Sequence, residues 1–412
     1  MPEITVTNKI KHMNPNLDLL HPYPFEKLRQ LKQGVTPNQD KTHIALSIGE
    51  PKHQTPELIH QALNDHAEGI AKYPSTKGVP ELRQAIADWI SQRFNIAKSN
   101  IDAETQVLPV GGTREALFSF AQAVIDSSKP APLVIMPNPF YQIYEGAAIL
   151  AGAEPYFLNT TEASNYLPDF DSVPDEIWQR CQLIFICSPG NPTGTVISEQ
   201  AHKKLLQLAE QFDFIIASDE CYTEIYDDED NPPQGLLESA YNMGNTVFNR
   251  CVMFQSLSKR SNAPGLRSGF VAGDAKILNN YFKYRTYHGC AQPFPTQYAS
   301  VAAWKDETHV IENRVLYRQK FTAFINILGD VCSINKPPAS FYIWLKTSID
   351  DTDFAQQLFA QQNVTVLPGS YLSRQAHGIN PGKNHVRIAL VAPVEECIEA
   401  ANRIKHFINT LD

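Results

Sequence analysis

The sequence predicts an α/β protein: a large domain with a mostly parallel sheet sandwiched by helices, joined to a smaller α+β domain. Three observations carry that expectation. Six short apolar runs, "QVLPV" (106–110), "LVIM" (133–136), "LIFIC" (183–187), "FIIAS" (214–218), "VMFQ" (252–255) and "GFVAG" (269–273), do not alternate with polar residues. Strands buried on both faces read this way. Amphipathic stretches separate the runs, so strand and helix patterns take turns along the middle of the chain. At 412 residues the chain is longer than one core usually supports, and after residue 300 the rhythm changes.

The N-terminal fifty residues are rich in proline, with one short amphipathic piece from Phe25 to Leu31. They are expected to pack against the C-terminal unit. In "VPELRQAIADWISQRF", Pro80 suits a first helical turn, and Leu82, Ile86, Trp89, Ile90 and Phe94 fall on one face. "AHKKLLQLAEQF", after Ser198, repeats the pattern. A helical stretch is expected over about 305–328, followed by "SFYIWL", "NVTVLPG", "HVRIALV" and a last helix. The expected large domain is 52–300, and the small one combines 1–51 with 301–412.

Composition narrows the function. Hydrophobic residues make up 43% and charged residues 19%, as in a globular protein. Net charge is −9 and no basic run is interleaved with aromatics, which argues against nucleic-acid binding. Seven cysteines, an odd number without C-x-x-C, argue against a disulfide framework or a zinc site and fit a reducing cytoplasm. The histidines show no H-E-x-x-H or other metal spacing, so no metal is expected. The opening "MPEITVTNKIKH" lacks the apolar core of a signal peptide. No apolar stretch approaches the roughly 20 residues that span a bilayer. A soluble cytoplasmic protein is expected.

Chemistry-bearing residues recur where the buried runs end. In open α/β sheets ligands bind at that edge. "SLSKRSNAPGLRSGF" (256–270) places Lys259 just past one run and Arg267 in the loop beyond it. Serine, lysine and arginine around one turn could hold a phosphate, or the lysine could serve as an amine nucleophile. "GGTREAL" puts Gly111, Gly112 and Thr113 at a helix start where backbone N–H groups face an anion. "PNPFYQIY" places Tyr141, "SPGNPTG" places Asn191, and "DECY" places Asp219 and Tyr222 at other run ends. Taken singly, a surface lysine, a core tyrosine and a turn asparagine are the plainer readings. Asp219 is harder to dismiss, because a carboxylate ending a buried run needs a cationic partner.

Together, "SLSKRSNAPGLRSG", "SPGNPTG", "DECY", "GGTRE" and "HVRIAL" resemble the motif set of the fold-type I, pyridoxal-phosphate-dependent aminotransferases of class I/II. The resemblance runs from "SIGEP" to the C-terminal helix. It implies that Lys259 bonds covalently to pyridoxal 5′-phosphate and that Asp219 pairs with its pyridine nitrogen. Asn191 and Tyr222 would bond its phenolic oxygen, and Tyr141 would stack on the ring. Gly112, Thr113, Ser256 and Arg267 would form the phosphate cup. Arg387 would fork onto the substrate's α-carboxylate, with the Gly49 backbone nearby. Tyr73, in "KYPSTKG", would reach the neighbouring subunit's phosphate, which implies a homodimer with active sites at the interface.

At a finer level, "MNPNLDLLHPYPFEKL", "PKH", "YRTYHG" and "LPGSYLSRQAHGINPGKNHVRIALVAP" resemble the succinyldiaminopimelate transaminases of bacterial lysine biosynthesis. That implies exchange of an amino group between N-succinyl-L,L-2,6-diaminopimelate and 2-oxoglutarate. Aminotransferases of aspartate, alanine or aromatic amino acids, and carbon–sulfur lyases of the same fold, are the alternatives. A substrate with extra carboxylates needs further cations, for which Lys52, Arg285, His288 and Arg374 are candidates. Tyr287 falls where aspartate-specific members carry a partner-subunit arginine, which weakens the aspartate reading.

Overall fold

The computed structural model describes residues 13–411. Its centre is a seven-stranded sheet. In spatial order the strands are Val107–Val110, Gly269–Gly273, Cys251–Ser256, Ile215–Asp219, Cys181–Cys187, Leu133–Asn138 and Glu154–Asn159. Gly269–Gly273 runs antiparallel to both its neighbours; the other six run the same way. All six apolar runs are strands of this sheet. The seventh strand, Glu154–Asn159, lies at the edge. Only Leu158 in it is fully buried, so it carries no continuous apolar run.

Side chains along the central strands alternate between two cores, as the period of two requires. Ile135, Ile184, Ile186, Ile216 and Met253 enter one core. There they meet Ile86, Trp89 and Ile90 of the helix Pro80–Arg93 and Leu205 of the helix Glu199–Phe212. Val134, Met136, Leu183, Phe185, Ala217 and Phe254 enter the other, against Leu117 and Phe120 of Thr113–Val124 and Tyr144 of Ile143–Leu150.

A third core joins the two ends of the chain. Ile44 and Leu46 pack there with Phe321, Phe324, Ile343, Leu345, Phe354, Val386, Ile388 and Phe407. Ile44–Ala45 pairs in parallel with Val364–Thr365, and His385–Ala389 lies between Leu367–Pro368 and Tyr342–Lys346 in an antiparallel sheet.

The helical stretch expected over about 305–328 is the helix Thr308–Leu328, and a separate helix, Phe294–Lys305, precedes it. Asp306 breaks them apart: its backbone is extended, and its carboxylate accepts the His309 N–H at 3.0 Å in the first turn of the second helix. Ala303 and Trp304 before the break belong to the first core, whereas Phe321 and Phe324 after it belong to the third.

Strand direction gathers the loops of interest. The carboxyl ends Val110, Cys187, Asp219 and Ser256 lie at one edge of the sheet. The antiparallel strand starts there with Gly269, paired to both Val110 and Ser256. Arg260 anchors the turn that carries Lys259. Its fully buried guanidinium donates to Ala303 O at 2.8 Å, pairs with Glu307 and lies over the Trp304 ring at 4.8 Å. Arg260→Met strands the Glu307 carboxylate and two carbonyls. It is expected to destabilise the protein by about 3 kcal/mol, seen as a lowered thermal midpoint; an unchanged midpoint refutes this role.

Candidate active site

A cleft of about 520 Å3 opens at this edge. Gly49, Thr113, Tyr141, Asn191, Asp219, Tyr222, Ser256, Lys259, Arg267 and Arg387 all line it, although they come from seven segments of sequence. Gly112 stands directly behind, against the Arg267 guanidinium.

Lys259 sits in the short helix Leu257–Arg260, which starts straight off the strand Cys251–Ser256. Its ammonium donates to the Gly49 carbonyl. Burial pushes its pKa down to about 8, and the charge of Arg387 adds to that shift. Asp219 ends the neighbouring strand with 4% exposure and no Lys, Arg or His within ion-pair distance among the described residues. Its carboxylate accepts from Tyr144 Oη at 2.7 Å and from the Cys221 N–H at 3.3 Å. Burial pushes its pKa up, while those bonds and the charge of Lys259 oppose the push. A buried carboxylate so placed calls for a cation facing it from the cleft.

The phosphate cup is a cradle of small residues around one guanidinium. Gly112 holds φ +92°, and a Cβ there would lie 2.3 Å from Arg267 Nη2. Only glycine lets backbone and guanidinium approach so closely while turning into the helix at Thr113. Arg267 donates to Pro264 O at 2.8 Å and Gly111 O at 3.4 Å, which aims it across the helix start. Ser256 Oγ lies 2.9 Å from Ser258 Oγ, so two hydroxyls face the same space. Backbone N–H groups, two hydroxyls and a guanidinium suit a phosphate.

At the other end of the cleft Arg387 donates from Nη1 to Asn191 Oδ1 and from Nη2 to Ser47 O, each at 2.8 Å. Its guanidinium lies 4.4 Å from the Tyr342 ring centre, and its buried Nε has no hydrogen-bond partner. Tyr222 Oη meets Tyr342 Oη at 3.0 Å. A carboxylate, a reactive amine, an anion cup and a carboxylate-binding arginine therefore share one cavity. These residues fit pyridoxal 5′-phosphate and an α-amino acid.

Six positions singled out in the sequence lie outside this cleft. Tyr73 is fully exposed and does not reach the cleft of its own chain; Tyr287 is likewise exposed at 87%. The four candidate distal cations do not line the cleft, and each faces a carboxylate. Lys52 Nζ is 3.5 Å from Glu396, and Arg374 donates from Nε to Glu145 at 2.8 Å. Arg285 is fully buried against Glu115 at 2.6 Å, where it fastens the end of the helix Ala275–His288. His288 meets the same carboxylate at 3.5 Å. With Cys290 these form a group whose donor atoms lie within 4.8 Å of one another, but Arg285 already occupies the carboxylate. Proximity to the motifs in sequence does not aim these side chains inward.

Sequence reasoning missed Tyr144, Cys221, Tyr342, Tyr23 and Arg114. Tyr144 lies one helical turn after Tyr141, a spacing that could have suggested two rings on one face. Cys221 sits inside "DECY", and its sulfur is 3.1 Å from Thr113 Oγ1. Tyr342 and Tyr23 come from distant segments and left no local signal. Near pH 8 about half of Lys259 is neutral amine. Reductive methylation of the cofactor-free protein, mapped by peptide, is therefore expected to reach half-maximum at Lys259 near pH 8. Solvated lysines turn over only near about pH 10.4; a Lys259 midpoint up there overturns the assignment.

Comparison with known proteins identifies the family. Residues 41–404 match the family Aminotransferase class I and II. The chain is 31% identical to the LL-diaminopimelate aminotransferase of Aquifex aeolicus, covering 95% of this chain and 97% of that one. It is 30% identical to the enzyme of that name from Maridesulfovibrio salexigens, covering 98% and 99%. A crystal structure of an aminotransferase from Neisseria meningitidis superposes with a TM-score of 0.92 at 49% identity, covering 96% of this chain and all of that one. Aminotransferase AspB of Helicobacter pylori does so at 0.87 and 35%, covering 95% and 99%. With residues 41–404 matching that family and the whole fold superposing on solved aminotransferases, the chain belongs to the class I and II aminotransferases, enzymes of the aspartate-aminotransferase-like fold that work with pyridoxal 5′-phosphate.

Proposed function

We propose that this aminotransferase interconverts N-succinyl-L,L-2,6-diaminopimelate plus 2-oxoglutarate with N-succinyl-2-amino-6-ketopimelate plus L-glutamate. The observation that carries amino transfer at an α-carboxylate is the convergence of Lys259, Asp219 and Arg387 on one cleft. The succinylated substrate is supported by the stretches around Asn14, Tyr284 and Leu367. The names of the Aquifex and Maridesulfovibrio relatives favour a second reading, free LL-diaminopimelate. Both readings place the chemistry at one end of a seven-carbon dicarboxylic skeleton. The exposed ring of Tyr73 supports a homodimer in which it serves the neighbouring site.

When bound, pyridoxal phosphate supplies a ring that accepts electron density from the substrate's reacting carbon. The chain's own residues do the rest. Asp219 offers a negative charge to the ring nitrogen, which stabilises its protonated form. Gly112, Thr113, Ser256 and Arg267 hold the phosphate and fix the ring's register. Lys259 Nζ would be the covalent anchor, and as a free amine beside the substrate carbon it would move a proton there. Its depressed pKa of about 8 lets a neutral amine do this near physiological pH. Arg387 binds the α-carboxylate common to amino and keto acids, so one fork serves both half-reactions. Asn191 and Tyr342 hold that fork in place.

Parallel assays with the succinylated and free diaminopimelates, with 2-oxoglutarate as acceptor, test the substrate. Glutamate is expected to form with kcat/KM about tenfold or more higher for the succinylated compound. The opposite order selects the second reading, and glutamate from neither overturns both. Pyruvate released from a cysteine derivative would instead mark a lyase. Tyr144→Phe removes one of the hydrogen bonds that favour ionised Asp219. It is expected to weaken cofactor binding about tenfold, read by fluorescence titration of the cofactor-free protein; wild-type affinity refutes the role.

A further inference from the structure

We infer that Arg114, with the hydroxyls of Tyr23 and Tyr141, is the receptor for a second carboxylate at the far end of the substrate. This deepens the reading above and rests on it for the need of a second anion. Arg114 follows Thr113 on the first turn of the helix Thr113–Val124 and lines the cleft with Tyr23 and Tyr141. Its Nε donates to Tyr141 Oη at 2.7 Å and its Nη2 to Tyr23 Oη at 3.1 Å.

Three features single it out. First, no carboxylate of the described residues lies within ion-pair distance of Arg114, whereas Arg83, Arg93, Arg285, Arg314 and Arg374 each have one. Glu50 also lines the cleft without pairing to it. Second, the other cleft cations already have ligands in the reading above: Arg387 takes the α-carboxylate, Arg267 the phosphate and Lys259 the cofactor itself, which leaves Arg114 as the remaining cation lining the cleft among the described residues. Arg114 Nη1 has no hydrogen-bond partner among the described residues. Third, each tyrosine oxygen accepts from the guanidinium, so its own O–H remains to donate. Two hydroxyls and a guanidinium edge thus converge on the same part of the cleft, the donor set a carboxylate takes. Tyr23 directly precedes the helix Pro24–Leu31, so the N-terminal segment contributes to this receptor.

The test is binding of unreactive acids to the holoenzyme by calorimetry. Butyrate offers one carboxylate; glutarate and pimelate offer two, at the spacings of the glutamate and diaminopimelate skeletons. In Arg114→Gln, glutarate or pimelate is expected to bind about tenfold or more weakly, with butyrate unchanged. Tyr23→Phe, which keeps the ring, is expected to shift the same dicarboxylate in the same direction by less. Unchanged affinity for both dicarboxylates in Arg114→Gln overturns the inference. So does an equal loss for butyrate, which would make Arg114 a support of the whole site. The acids need not react, so the receptor can stand if neither diaminopimelate is a substrate, and it can fall while the diaminopimelate assay succeeds.

Discussion

A carboxylate buried at the end of a central strand sets the terms for this site. Asp219 is buried at the floor of the cleft, where the Tyr144 hydroxyl and the Cys221 N–H donate to it and no protein cation lies within ion-pair distance among the described residues. Charge in that position is costly unless a cation meets it. The sheet answers through register. Asp219 pairs with Cys187 on one side and Phe254 on the other, so the turn with Asn191 and the helix with Lys259 must emerge beside it. Ser256 pairs in turn with Gly269, and Gly269 with Val110, which brings Arg267 and Gly112 to the same edge. A one-residue slip anywhere in this series would turn the side chains to the opposite face.

The distribution of charge follows from the same economy of burial. The protein as a whole carries −9, yet its cleft contains Lys259, Arg267, Arg387 and Arg114. Outside the cleft, buried arginines serve as bolts. Arg260 ties the Lys259 turn to a helix end, Arg285 closes on Glu115, and Arg374 closes on Glu145. Arginine therefore has two uses here, and the presence or absence of a carboxylate neighbour separates them. Partnered guanidinium groups hold the scaffold, while those facing only carbonyls, amides and hydroxyls are left for anionic ligands.

Much of the scaffold and the cofactor end of the site was legible because both depend on local patterns. Continuous apolar runs mark strands buried on two faces, and the residues just beyond those runs have to lie at the functional edge. The edge strand Glu154–Asn159 was not legible, because it is half solvated and carries no continuous apolar run. The distal pocket was misread for a different reason. Lys52, Arg285, His288 and Arg374 stand near the right motifs in sequence, but each faces a carboxylate outside the cleft.

What the sequence determined by itself was the alternation of strands and helices, and the motif residues at their junctions; both are properties of short segments. The tertiary structure alone decided which distant chains close the cleft. Arg387 reaches Asn191 across 196 positions, Tyr222 meets Tyr342 across 120, and Arg114 meets Tyr23 across 91. Contacts over such separations depend on how whole cores pack and where each helix is rotated, and no local pattern of residues encodes either.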